Sequence, residues 1–356
     1  MAETLPEAVA PELRRSGPDE RSGPLSRVLQ WQLAMPVRAW LLIGGLLVFQ
    51  VAWAHAVLWA SGRLALGSLD RAAIVLAVYG PFALAALAIS NRAGQRALVS
   101  FWPATGWPEA VRSQWADRFT HGPAKIEWAA LLVGVSGGLL ALAASPASVL
   151  GEPEGRAAVF LAYAPAFVLG YGMLPPALVI TLRWLGLVAR IHREASAIDP
   201  FDRAPIYAFS RLTVLPGLAY AAATYYSVTV NAAFQAGNLP SLAFLATAML
   251  FSIAAFVAPL WGIHTRLAGA KDELSLDVER RVSRVAAELY GRIDAGDFAS
   301  TPALNDTLTG LMTLRHRVSR VPTWPWPPQL FRGFVSALLL PIVVFVASRL
   351  IDSLLP

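Results

Sequence analysis

The sequence contains no cysteine, which excludes disulfides, thiolate metal sites and cysteine nucleophiles and leaves the redox compartment unread. Charge is also scarce. Asp, Glu, Lys and Arg make up 15% of the 356 residues, against 56% hydrophobic. The charges gather between the apolar runs, and His55 is the one ionisable residue well inside such a run. Proton-coupled carriers and pumps usually keep carboxylates or histidines there, because such costly residues persist when they move ions. The chain also shows no nucleotide-binding loop, metal-ligand cluster or redox motif, so no cofactor and no metal is expected. A net charge of +6 could suggest nucleic acid. The arginines, however, sit at the ends of apolar runs, where membrane topology accounts for them, and no nucleic-acid partner is expected.

What the chain has in quantity is uninterrupted apolar sequence. A helix that is apolar all round needs lipid or a large protein interior around it, and several runs approach the roughly 18 to 20 residues that cross a bilayer core. The predicted fold is all-α, a polytopic transmembrane helical bundle with the lipid bilayer as its surroundings.

Residues 1–24 mix acidic, basic and proline residues with few large apolar ones and read as a disordered cytosolic tail. Arg14-Arg15 has no apolar run directly after it, so no cleaved signal peptide is expected. Residues 25–265 read as the membrane domain. Leu25–Trp40 is amphipathic and predicts an interfacial helix, followed by spans near Ala39–Ser61, Ala72–Ser90, Ile126–Ser145, Ala157–Arg183, Arg211–Ala233 and Leu242–His264. Between the second and third spans, Pro108 suits a first helical position and Val111, Trp115 and Phe119 follow at four-residue steps, predicting a second surface-lying helix. Beyond Arg183 the helical spacing continues through Trp184–Ser196, and Asp199-Pro200 ends it.

Residues 266–328 read as a cytosolic helical hairpin. Val278, Val282, Val285, Leu289 and Ile293 mark one apolar face, Asp294-Ala-Gly-Asp297 a turn, and Leu304, Leu308, Leu311 and Val318 the return face. Two such helices bury little surface alone, so a homo-oligomer joined through the hairpin is as open as packing within one chain. Residues 329–356 hold the final span, entered through a Trp- and Pro-rich threshold. Basic residues crowd the tail, Asn91–Lys125, Arg183–Arg211 and Arg266–Arg332. By the positive-inside rule this predicts seven crossings of a cell inner membrane, with the N-terminus cytoplasmic and the C-terminus outside.

The candidate residues follow from this layout. Pro175 and Pro176, in the most interrupted span, either kink the helix or open a cavity of the kind that secondary transporters use. Tyr225, Thr229 and Asn231 are polar resources of the fifth span, as vestibule lining or as interhelical partners. Arg349 closes the last span and would reach a pore axis if subunits assembled around it. Trp102, Trp115, Trp324 and Trp326 are interface anchors. Gly134-Val-Ser136-Gly137 resembles, over these four residues, the Gly-x-Ser-Gly signature of intramembrane serine proteases. That chemistry needs a histidine within hydrogen-bond reach. His264 lies at the inner end of its span, whereas Ser136 lies about ten residues, roughly 15 Å, from that boundary. The small residues around Ser136 therefore point to close helix packing, and no catalytic residue is assigned. The first expectation for function is an oligomeric channel-like or membrane scaffold protein, the second a secondary transporter of a small solute, and the third an intramembrane serine hydrolase.

Overall fold

The computed structural model describes residues 22–144, 156–195, 199–230, 239–299 and 301–354. The tail expected to be disordered lies outside the described residues up to position 21. Every named element is helical: α1 (Pro24–Ala34), α2 (Pro36–Ala60), α3 (Arg71–Phe101), α4 (Glu109–Thr120), α5 (Ala124–Ala143), α6 (Arg156–Glu194), α7 (Arg203–Tyr207), α8 (Ser210–Val230), α9 (Leu239–Val257), α10 (Trp261–Asp294), α11 (Thr301–Ser319) and α12 (Pro328–Leu354). Short 3₁₀ turns follow α3 and separate α9 from α10.

Among the described residues, five helices are long and apolar enough to cross a membrane: α2, α3 with its 3₁₀ turn, α5, α6, and the continuous stretch from Ala246 through α10. α12 contributes a shorter apolar stretch, Pro328–Val344. The helices overrun the spans expected from hydropathy. α3 continues to Phe101, and α6 is a single helix of 39 residues that carries Pro165, Pro175 and Pro176 inside it. A proline removes one backbone donor, which a neighbouring turn can absorb without ending the helix.

α6 is the centre of the molecule, packing along α5, α3 and α2, while α8 packs on α9, α12 and α3. Close approach of α5 and α6 follows from the small residues predicted to pack there. A Cβ on Gly134 would lie 2.7 Å from the carbonyl oxygen of Gly172, and one on Gly138 2.6 Å from that of Phe167. Ser136, on the other face of the same helix, is exposed. The apolar core falls into three groups. At the arginine-rich end, Phe101, Trp115, Phe119, Trp184, Ile191, Phe209 and Ile263 interlock. At the opposite end, Leu58, Leu142, Tyr163 and Phe167 pack together, and Val214, Phe256, Phe334 and Leu338 join α8, α9 and α12.

α1 and α4, the two helices read as surface-lying, put their apolar faces on this protein core: Leu25 and Leu29 of α1 and Trp115 and Phe119 of α4 are all buried. An amphipathic stripe suits a protein groove as well as a lipid surface, so its spacing alone does not choose between them.

α10 and α11 pack along each other as a hairpin, with Arg315 Nε 3.1 Å from a Glu279 carboxylate oxygen across the pair. The turn between them is a Schellman cap. Gly296 N–H donates to Ile293 and Asp297 N–H to Arg292, with Gly296 at φ +72°, a conformation that costs a residue with a Cβ about 1–2 kcal/mol. Gly296→Ala is therefore expected to lower stability by about 1–2 kcal/mol, read as a downward shift of the thermal unfolding midpoint.

Candidate functional site

At the arginine-rich end a seam of buried polar groups lies beneath α1. It starts from a local deficiency. α1 is preceded by Gly23, which offers no side chain to cap the free N–H groups of the first turn. Glu127, in the first turn of α5 and fully buried, takes that role from another helix. One carboxylate oxygen accepts the Ser26 backbone N–H at 3.0 Å, and the other accepts the Ser26 hydroxyl. The same hydroxyl accepts the Gly122 N–H at 3.0 Å, and Gly23 N–H donates to the Gly122 carbonyl at 3.2 Å. A carboxylate at a helix N-terminus is favoured by the aligned peptide dipoles. Arg183 of α6 adds a cation, its Nη1 lying 3.9 Å from Glu127.

Two glycines make this knot possible. A Cβ on Gly23 would fall 2.1 Å from a Glu127 oxygen, and one on Gly122 would fall 1.9 Å from Arg183 Nη1. The carbonyl of Phe119, at the end of α4, accepts both Trp184 Nε1 at 3.0 Å and Arg183 Nη2 at 3.4 Å. Along α3 the seam continues with Asn91 Nδ2 donating to the Leu29 carbonyl and Arg92 Nη2 to that of Gln32, each at 3.3 Å. Gln95 Nε2 donates to the Thr120 hydroxyl at 3.1 Å. The side-chain amide of Gln32, 1% exposed, has no hydrogen-bond partner on either atom among the described residues.

Three further polar groups pin the helices. Arg266 of α10 donates to the carbonyls of His192 and, at 2.9 Å, Ala195, placing a cation on the free carbonyls that end α6. The His192 ring is buried edge-on between Phe101 and Phe209. At the opposite end, Asp70 caps α3 by accepting the Ala73 N–H and also accepts the Tyr163 hydroxyl, both at 2.7 Å. His55 Nε2 accepts the Asp70 N–H at 2.9 Å, so its Nδ1 carries the proton donated to the Val51 carbonyl.

The residues singled out from sequence lie in several places. Trp324 and Trp326 stack on each other with ring centres 4.4 Å apart, and Trp324 stacks on His264 at 3.7 Å. His264 is thereby tied to the threshold, and its Nδ1 lies 2.9 Å from the Thr323 carbonyl oxygen. Trp115 is buried and stacked on Trp107, and Trp102 packs against the same cluster. Pro176 is buried and Pro175 half-buried on α6. On α8, Tyr225 is exposed and the Thr229 hydroxyl donates back to the Tyr225 and Tyr226 carbonyls. Asn231 and the Arg349 side chain lie outside the described residues.

Glu127, Arg183, Ser26 and Arg266 went unrecognised as partners in sequence, since each reads as an ordinary residue at a span or helix boundary. One signal was available: Gly23-Pro24 opens a helix with no capping side chain of its own, so its N–H groups must find an acceptor elsewhere. Neither a family model, nor a curated protein, nor a solved structure matches this chain.

Proposed function

We propose that this chain is a multi-pass protein of a cell inner membrane that acts as an oligomeric scaffold, the bundle serving as anchor and the α10–α11 hairpin as the contact arm. In this reading α2, α3, α5, α6, α8, α9 and α12 are the seven crossings, with the N-terminus on the cytoplasmic side and the C-terminus outside. α8 and α12 have 21 and 27 residues, about 32 and 40 Å at 1.5 Å per residue, which is sufficient length. The seam beneath α1, with Arg92 and Arg183, and the Arg266 tie then face the cytoplasm, as the positive-inside rule favours.

One observation carries the scaffold reading. The hairpin's apolar stripes are shared between its two helices, yet Leu276, Tyr290, Ile293, Phe298, Met312 and Leu314 remain exposed. A second copy of α11 is the occupant that charge favours. Its residues Thr307–Leu314 carry no charge, so two copies meet there without the repulsion that Arg280, Arg281 and Arg284 would give on α10. Gly310 sits within that stretch with nothing within 4 Å of a Cβ built on it, leaving room for a close helix approach.

The test is the particle mass of purified protein in nanodiscs. A fixed oligomer is expected, and Leu314→Glu, one turn from Gly310 on the same face, should shift it at least tenfold in concentration toward monomer. One side chain of this size, buried at about 1.5 kcal/mol, makes that the lower bound. A wild-type protein that is monomeric throughout ends this reading.

A further inference from the structure

The seam beneath α1 has the construction of a covered site, and the cover is one short helix. Of the 11 residues of α1, those fully buried are Leu25, Ser26, Leu29 and Gln32. Two of the four are polar, and Gln32 has an amide that finds no partner where it lies. Beyond the two leucines, the attachments of α1 to the bundle include hydrogen bonds from Asn91, Arg92 and Gly122 and to Glu127, and its leading end is held by the Gly23 N–H on the Gly122 carbonyl and by a bridge between Ser22 and Pro123. Water can replace each of these hydrogen bonds. Besides the apolar core under Leu25 and Leu29, α1 lies against the hydrophilic groups Asn91, Arg92 and Glu127, and the same buried seam runs on through Gln95 and Thr120, which bond each other, and Arg183.

The joint between α1 and α2 is suited to a swing. Met35 stands between the helices at φ −132°, ψ 70°, outside the helical region, and Pro36 follows it. Proline disfavours helix in the residue before it, so the two helices cannot fuse into one rigid rod. Met35 and Val37 at this joint are exposed, so the hinge lies at the surface of the bundle.

We propose that α1 is a hinged lid over a polar cleft, latched shut by the Glu127 carboxylate on Ser26 and pivoting at Met35. Glu127 is a positioning residue here: it acts on the seam through α1. Opening exposes Asn91, Gln95, Thr120 and the Glu127–Arg183 pair together, which changes the arginine-rich end from a closed surface to a cleft lined by amides, a hydroxyl and an ion pair. This inference stands apart from the scaffold reading, since it concerns the opposite part of the chain from α11.

The absence of native cysteine makes a direct test simple. Gln95→Cys, in the full-length chain in nanodiscs, reports the seam through its rate of labelling by a membrane-impermeant maleimide. Leu142→Cys, fully buried in the opposite core group, reports the fold at large. Adding Glu127→Gln, which keeps the shape but removes the charge and one acceptor, is expected to accelerate labelling at position 95 at least tenfold and leave position 142 unchanged. Gly23→Ala, which pushes on Glu127 from the lid side, should do the same. No acceleration at position 95 in either variant would overturn the proposal, as would equal acceleration at both positions, which would make the latch a support of the whole fold.

Discussion

Gly138→Ala should destabilise the protein while Gly137→Ala, one position away, should not. At Gly138 the added carbon meets the carbonyl oxygen of Phe167 at 2.6 Å and its carbonyl carbon at 3.1 Å. Both obstacles are backbone atoms of α6, so no rotamer change relieves them, and the two helices must separate or shift. Overpacking a well-fitted interface costs typically 1–3 kcal/mol, and Gly138→Val, with two more carbons on the same vector, should reach about 3 kcal/mol or fail to fold. Gly137 faces open space, where the only effect of alanine is its better helix propensity, a gain of about 0.5–1 kcal/mol. Thermal unfolding followed by tryptophan fluorescence separates the outcomes. Equal, small effects at both positions would mean that α5 and α6 do not touch at this seam.

This contrast also shows what could be read from the chain and what could not. The small residues at 134, 137 and 138 announced close packing, but the sequence string could not say that 134 and 138 face α6 while 137 does not, because that depends on the helix phase relative to its neighbour. The apolar runs were legible because length and hydropathy are local properties. Helix continuation past Arg183 was legible for the same reason, the spacing of Leu185 and Val188 being unbroken. The polar seam was not legible. Ser26 and Glu127 are 101 positions apart, and their meeting is decided by tertiary docking of a helix that could equally have lain on lipid. His55 stood out as the one ionisable residue well inside an apolar run, and what holds it there is a hydrogen bond from the Asp70 N–H in the connector after α2. Local composition gave its depth but not its partner.

The polar seam and the apolar core beside it are one structure. Trp184 follows Arg183 directly, so α6 presents a cation to Glu127 and, one residue later, an indole to the core between α4 and α6. The indole N–H holds the Phe119 carbonyl, and three residues beyond that carbonyl Gly122 offers its N–H to Ser26. The position of α4's end thus sets the position of the latch.

Trp184→Ala should accordingly be the most costly single truncation in this region. The side chain is 2% exposed and among the largest of the fully buried ones, and truncating a core aromatic to alanine costs about 3–5 kcal/mol through lost contacts and the cavity left behind. Trp184→Phe separates the two contributions. It keeps most of the apolar volume and loses the hydrogen bond, but the Phe119 carbonyl still has Arg183 as a donor, so it is not orphaned and the cost should stay near 1–2 kcal/mol. Hydrogen exchange at the backbone amides of Gly122 and Ser26 gives an independent reading. Trp184→Ala should speed exchange at both amides beyond the change that global stability alone produces, because the end of α4 loses its anchor. Exchange at Ala73, capped by Asp70 at the far end of α3, should follow global stability only. If all three amides change in step, Trp184 supports the bundle as a whole and has no special hold on the seam.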